Sequence, residues 1–329
     1  MKILVIADRK RYEKFMPKND FTQSAEIVYF SRGTSDDEIL ESASDAQIIF
    51  VDAIMPVSEK LVLKMPQLKM IHSEGVAYNA IAIEAAAKRG IYVCNNKGCN
   101  AKAVAEQAVL LMLQVLRSST EGDKAVRSGN QIKMKEYMMV RGITELGECK
   151  VGLVGFGDIA KATAKLLTAF GCEVYYYTPT KKTAEIEKEY GVSYLPLDEL
   201  VSECDIVSIH CAVTSETEGM FDEKLISKMN QGAILVNTAR GEIVDNIALR
   251  DALVEGRIYA GLDTISPEPV TADNPLLLLP EEAKYSLSVS PHLGGITTAS
   301  FRRSHKHMWE NALRIAKGEK PDNIVNGLK

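Results

Sequence analysis

The sequence predicts an α/β protein built on two doubly wound parallel sheets. Three observations carry this reading. Short β-branched apolar runs recur along the chain, helix-like stretches separate them, and a second series of such runs begins at Lys150. Runs that are apolar at nearly every position, rather than at alternate ones, are strands covered on both faces.

In the first hundred residues the strands fall at Ile3–Ala7, Ile27–Phe30, Ile48–Val51, Met70–Ser73 and Ile91–Cys94, spaced for βαβ units. Asn100–Arg117 follows as a long helix. Ala101, Val104, Ala105, Ala108, Leu111, Met112 and Val115 recur at helical spacing, Asn100 is a fair N-cap, and the helix is expected to bridge two domains. The second sheet is read from Val151–Val154, Glu173–Tyr177, Val192–Tyr194, Ile206–His210, Ile234–Val236, Tyr259–Leu262 and Leu287–Val289. Thr297–Lys317 forms a last helix, ending near Gly318 with Pro321 as a stop, and nothing strand-like is expected beyond it. A lone C-terminal helix gains most by packing on existing structure, so it should return to the first domain. The expected division is one domain of residues 1–99 and 297–329, with a second of residues 100–296 inserted in it.

The chain's 329 residues suit two domains of about 100–200 residues each. Hydrophobic residues at 46% and charged residues at 25% exclude disorder and low complexity. Against 39 Lys and Arg stand 44 Asp and Glu, so the basic excess that drives nucleic-acid binding is missing. The six cysteines form no C-x-x-C pair, so no metal site is expected and they read as small apolar residues of a reducing compartment. Ile3–Ala7, stopped by Asp8, is too short for a signal-peptide core, and no apolar run is long enough for a membrane span; the expected location is the cytoplasm. Arg302, Arg303, His305, Lys306 and His307 read as a solvated or interdomain face of the last helix, and Trp309 as a packing residue.

Val151–Val154 runs into Gly155-Phe156-Gly157-Asp158-Ile159-Ala160, a G-x-G-x-x-A turn between a strand and a helix. Gly155 permits the tight turn, Gly157 lets backbone approach a pyrophosphate, and Ala160 allows close helix packing, while the helix start offers N–H groups at Asp158 and Ile159. A domain that prefers NAD carries an acid about 20 residues on, bonding the ribose hydroxyl. Here Thr178 stands at the end of the second strand, followed by Lys181 and Lys182. A threonine does not repel a 2′-phosphate and the lysines can pair with one, which favours NADP over NAD; the alternative is that both lysines are simply solvated.

Three further segments place reactive side chains just past strands: Asn237–Asp245 with Arg240, Gly261–Pro269 with Asp263 and Glu268, and Ser290–Gly295 with His292. Singly, each has an ordinary structural explanation. Together, Arg, His and a carboxylate are the set that hydride transfer to a 2-keto acid requires.

On Ser73–Asn79, Asn100–Glu106, Gly155–Ala160, His210 with Thr214, Asn237–Asp245, Gly261–Pro269 and Ser290–Gly295, the chain resembles the D-isomer-specific 2-hydroxyacid dehydrogenase family over essentially its whole length. The resemblance implies a Rossmann cofactor domain inserted into a flavodoxin-like substrate domain, and a homodimer through the cofactor domains. It also implies roles. Arg240 holds the substrate's carboxylate and keto oxygen, His292 is the general acid, and Glu268 hydrogen-bonds its ring. Backbone N–H groups of Val76 and Ala77, in the loop with Glu74 and Gly75, receive the carboxylate. Asp263 holds the nicotinamide carboxamide. Val104, Gly155, Gly157, Asp158, Ile159, Cys211, Ala212, Thr238, Ala239, Arg240, His292 and Gly294 line the cofactor.

Two departures stand out: Thr178 replaces the cofactor acid, and Glu74 puts a negative charge beside the carboxylate loop unless it points away or pairs with a cation such as Lys97. Phosphoglycerate dehydrogenases of this family use arginines where this chain has Asp52 and Ser73, which disfavours a phosphorylated substrate. Met55 suits a small or apolar substrate side chain. The resulting expectation is a reductase of small unphosphorylated 2-keto acids, the alternatives being a non-catalytic NAD(P)-sensing module like the corepressors of this fold, or a phosphoglycerate dehydrogenase.

Overall fold

In the computed structural model, which describes residues 1–328, β1 (Lys2–Ile6), β2 (Glu26–Phe30), β3 (Ile48–Val51), β4 (Met70–Ser73) and β5 (Tyr92–Cys94) form a parallel sheet in the order β2-β1-β3-β4-β5. Successive side chains of a strand point to opposite faces, and the two cores of this unit divide accordingly. Leu4, Ile6, Ile49, Val51, Ile71 and Val93 enter one. Ile3, Val5, Ile48, Phe50, Met70 and Cys94 enter the other, which the helix Thr298–Ala316 completes with Met308, Trp309, Ala312 and Ile315. This unit comprises Met1–Asn100 and the chain from Ile296 onward.

Two expectations for the C-terminal segment need correction. After Gly318 (φ 75°) ends the helix, Ile324 makes an antiparallel bridge with Cys94, and Val325 N–H donates to the Val93 carbonyl at 2.8 Å. β5 is an edge strand with unpaired backbone groups, and the tail covers them. The basic run of the last helix is also not a single solvated face. Helical periodicity leaves Arg302 and Lys306 exposed but turns His305 wholly inside, with His307 half-buried.

The second unit, Ala101–Gly295, holds β6 (Lys150–Val154), β7 (Glu173–Tyr177), β8 (Val192–Tyr194), β9 (Ile206–Ile209), β10 (Ile234–Asn237), β11 (Tyr259–Leu262) and β12 (Leu287–Val289), all parallel, in the order β12-β11-β10-β9-β6-β7-β8. The order reverses between β6 and β9, the switch point outside which open α/β sheets bind ligands. β9 stops one residue short of His210, which therefore opens the loop at that switch point. The helices Ala101–Arg117 and Asp158–Phe170 cover one face through Leu111, Met112, Val115, Ala160, Ala164 and Leu167. Between Ala101–Arg117 and β6, Ser119–Arg127 and Gln131–Arg141 form two helices to which no sequence pattern pointed.

Candidate active site

The turn after β6 is shaped by what its glycines exclude. Gly155 has φ 98°, and a Cβ there would lie 2.7 Å from the Cys211 backbone nitrogen and 2.8 Å from the His210 carbonyl carbon. The β6 and β9 loops thus touch through bare backbone. At Gly157 a Cβ would meet nothing within 4 Å, and the helix Asp158–Phe170 begins there without a side-chain cap. Open space facing uncapped N–H groups fits a dinucleotide's pyrophosphate. His210 bonds Ser208 Oγ through Nε2 at 2.9 Å, while its Nδ1 is shielded from solvent and unpartnered. Burial pushes its pKa down to about 4, so the ring is neutral near pH 7, and burial pushes the Cys211 thiol up to about 11.

At the end of β7 no carboxylate is present. Thr178 is buried and its hydroxyl donates to the Thr180 carbonyl at 2.7 Å. Lys181 is largely exposed, with Nζ 3.6 Å from Glu187 and near the Tyr194 ring. Glu187 also accepts from Tyr176 Oη, which in turn accepts the Lys182 backbone N–H. Part of the charge offered by Lys181 is therefore already answered.

At the end of β10, Asn237 is buried and ties the loop that follows: Oδ1 accepts from Ala239 N–H at 2.9 Å and Nδ2 donates to the Arg240 carbonyl at 2.8 Å. Arg240 itself is exposed, and among the described residues its side chain donates only to the neighbouring Ala239 carbonyl. Past β11, Asp263 is buried and grips the loop that follows β12. Its Oδ1 accepts from Ser290 Oγ and Leu293 N–H, and Oδ2 from Gly294 N–H at 2.8 Å. Gln107 adds a bond to Ser290 at 2.9 Å. Those bonds hold His292 at φ 54°, a left-handed conformation uncommon for a side chain with a Cβ.

The outcome is a His–Glu dyad. His292 Nδ1 lies 2.7 and 2.9 Å from the two oxygens of Glu268. A carboxylate only accepts, so Nδ1 carries its proton and Nε2 is the atom left to gain or lose one. The side chains remain 37% and 54% exposed, so solvent and a reactant can reach them.

In the first unit, Glu74-Gly75-Val76-Ala77 follows β4. The carbonyls of Val76 and Ala77 are taken by Asn95 Nδ2 at 2.7 Å and Ser73 Oγ at 2.6 Å, while their N–H groups have no acceptor among the described residues. Such a loop, with carbonyls turned away and N–H groups unspent, suits an anion. Glu74 is buried and pairs with Arg11 and, at 2.8 Å, with His305 Nε2, rather than with Lys97. Asp52 takes Arg11 and Arg32. Burial pushes the Asp52 carboxyl up, but the two arginines outweigh it and leave its pKa below the usual carboxylate value.

Asn95, Asn96, Arg11 and His305 were not singled out as loop-holding residues from sequence. Asn95-Asn96 sit directly past a strand, a signal that was present; Arg11 and His305 lie 63 and 231 residues from Glu74, and nothing local points to them. Val104 is buried on the helix Ala101–Arg117, and Thr238 is buried with its hydroxyl unpartnered. Among the described residues no helix is long and apolar enough to cross a membrane.

Fold, phosphate turn and dyad together define a nicotinamide-dependent oxidoreductase. Residues 109–294 match the model of the D-isomer specific 2-hydroxyacid dehydrogenase NAD binding domain. The chain is 35% identical over 289 residues to the glyoxylate reductase of Korarchaeum cryptofilum, spanning 88% of this chain and 85% of that one. It is 37% identical over 292 residues to the glyoxylate reductase of Thermococcus litoralis, spanning 88% and 86%. Among solved structures, D-lactate dehydrogenase with NAD+ from Lactobacillus jensenii matches over 99% of both chains with a TM-score of 0.81 and 26% identity. The chain belongs to the D-isomer specific 2-hydroxyacid dehydrogenase family, and it is an oxidoreductase working between 2-keto and 2-hydroxy acids.

Proposed function

We propose that this enzyme reduces small unphosphorylated 2-keto acids, glyoxylate and hydroxypyruvate among them, to the D-2-hydroxy acids, with NADPH preferred to NADH. The observation that carries the reading is the dyad, His292 Nδ1 at 2.7 Å from Glu268 on a loop locked by Asp263. The nicotinamide, when bound, supplies the hydride. Arg240 offers a planar fork to the carboxylate and keto oxygen, and Val76 and Ala77 N–H groups receive the carboxylate. His292 Nε2 delivers a proton to the forming alkoxide, and Glu268 stabilises the ring's charge while it is protonated.

An unphosphorylated substrate is supported by the state of the first unit's cations. Arg11 and Arg32 are engaged by Asp52 and Glu74, so neither is a free partner for a phosphate. NADPH is supported by Thr178 and the exposed Lys181. The cytoplasm is supported by six cysteines that are all free. A homodimer through the cofactor domains is supported by Val126, Ile132, Met139 and Val140, which stand exposed on the two helices at 119–141.

The test is oxidation of NADPH and of NADH by purified protein across a panel of 2-keto acids, including a phosphorylated one. Turnover of the unphosphorylated acids, faster at limiting NADPH, is expected. Cofactor binding without turnover of any keto acid would instead make the protein a sensor, and a preference for the phosphorylated acid would sink the substrate class.

A further inference from the structure

Glu74 stands two residues before the first of the two N–H groups that, in the reading above, receive the substrate's carboxylate. Its side chain is 6% exposed and turned into the first unit, where Oε2 accepts from Arg11 and Oε1 meets His305 Nε2 at 2.8 Å. Arg11 belongs to the helix Arg9–Phe15 and His305 to the helix Thr298–Ala316, so one carboxylate ties the loop to two separate helices. His305 is wholly buried, and the Arg11 Nη2 that serves Glu74 also donates to Asp52 at 2.7 Å. The same loop is anchored on its far side. Asn96 Nδ2 donates to the Glu74 carbonyl at 2.8 Å, and Asn96 N–H donates to the Gly75 carbonyl at 2.8 Å. At Gly75 a Cβ would come within 2.6 Å of Ala53 Cβ, so the loop has little room to relax.

We infer that Glu74, clamped by Arg11 and His305, is a positioning residue that aims the Val76 and Ala77 N–H groups at the substrate's carboxylate. The charge that looked awkward beside an anion site is neutralised by Arg11 and spent on geometry. The inference rests on the proposed keto-acid reduction, because it assigns that activity's carboxylate contact to this loop.

The experiment compares the full-length enzyme with its Glu74→Ala and Glu74→Gln variants, using glyoxylate and NADPH. Glu74→Ala should raise KM for glyoxylate about tenfold or more, with kcat and KM for NADPH within about twofold. Glu74→Gln should stay within about threefold of the parent, because its amide oxygen still accepts from Arg11 and the His305 ring can move its proton to the unpartnered Nδ1. A general loss of folded enzyme would lower kcat instead. An unchanged KM in Glu74→Ala, or an equal failure of both variants, overturns the inference. Should Glu74→Ala not fold, Arg11→Met serves: it keeps much of the side chain's bulk but takes the cation from the Glu74 carboxylate, so KM should rise at unchanged kcat, and an unmoved KM overturns the inference. Amide exchange of peptides covering residues 73–79 needs no turnover. It should quicken in Glu74→Ala even if glyoxylate is not a substrate, and unchanged exchange counts against the clamp.

Discussion

The molecule contains two His–Glu pairs of nearly equal length and opposite surroundings. In the second unit His292 meets Glu268 at 2.7 Å with the two side chains 37% and 54% exposed. In the first, His305 meets Glu74 at 2.8 Å with exposures of 0% and 6%. The His292 pair leaves Nε2 open to exchange a proton and sits on backbone held in an uncommon conformation. The His305 pair spends Nε2 on the carboxylate and leaves Nδ1 sealed, without a partner among the described residues. In the function proposed above, the same pair of groups therefore serves as a proton-transfer device where solvent reaches it, and as a strut where solvent does not. What separates them is access, and access depends on whether the histidine follows a strand end or lies on the inner face of a helix.

The contrast breaks most sharply at His292. His292→Ala should cut kcat by about a thousandfold, the range of a lost general acid, while NADPH binding followed by fluorescence and the melting temperature barely change. A kcat within about tenfold of the parent would remove His292 from the chemistry. At the buried pair the sign of the experiment reverses. His305→Ala should cost about 3 kcal/mol of stability in urea unfolding, since it opens a cavity and strips a partner from a buried carboxylate. kcat per folded molecule at saturating keto acid should be nearly unaffected. A stable His305→Ala protein would show that the strut carries no load.

A third histidine sharpens the same rule. His72 is wholly buried, with Nδ1 2.9 Å from the Ser73 carbonyl and Nε2 3.1 Å from Asn311 Nδ2. The carbonyl accepts and the amide donates, so the ring is neutral with its proton on Nδ1. Burial, first of all, lowers its pKa from 6.5 to about 3. Below pH 6.5 the unfolded chain takes up a proton that the folded one refuses, so stability should fall as the pH drops, by about 2 kcal/mol between pH 6.5 and about 5. The check is urea unfolding at several pH values: His72→Gln should flatten that slope, and an equally steep slope in the variant would place the acid sensitivity elsewhere.

How much of this was legible in the sequence depends on distance along the chain. The strands were, because a strand buried on both faces is apolar without alternation, and boundaries differed by a residue, as at His210. The dyad was legible because Glu268 and His292 each fall just past a strand, and parallel sheets gather such positions on one edge. The clamp on Glu74 was not. Sequence proximity suggested Lys97, but the partners come from helices at opposite ends of the chain, and only the packed first unit brings them to the loop. The tail's bridge to Cys94 escaped for the same reason: Ile324 alone has no strand pattern, and it pairs because β5 has a free edge. Asp263 stood out in the sequence because it falls just past a strand, but not as the lock of the His292 loop, since its partners are mostly backbone N–H groups.

The smallest expected effect lies at Lys181, which is exposed like the dyad but has no loop to hold it. Its side chain is 60% exposed and its ammonium lies 3.6 Å from Glu187, so a 2′-phosphate must compete with a partner already present. Exposed ion pairs contribute about 0–1 kcal/mol, which corresponds to a change of at most about fivefold in affinity. Lys181→Ala should therefore lower the preference for NADPH over NADH by a few-fold through KM for NADPH alone, leaving KM for NADH and kcat unmoved. Glu187→Gln should shift the preference the other way by freeing the lysine. If neither substitution moves the ratio, Lys181 is a solvated side chain and the discrimination rests on Thr178. There the missing carboxylate is itself the determinant, and Thr178→Asp should restore a preference for NADH by repelling the phosphate and offering an acceptor to the ribose hydroxyl.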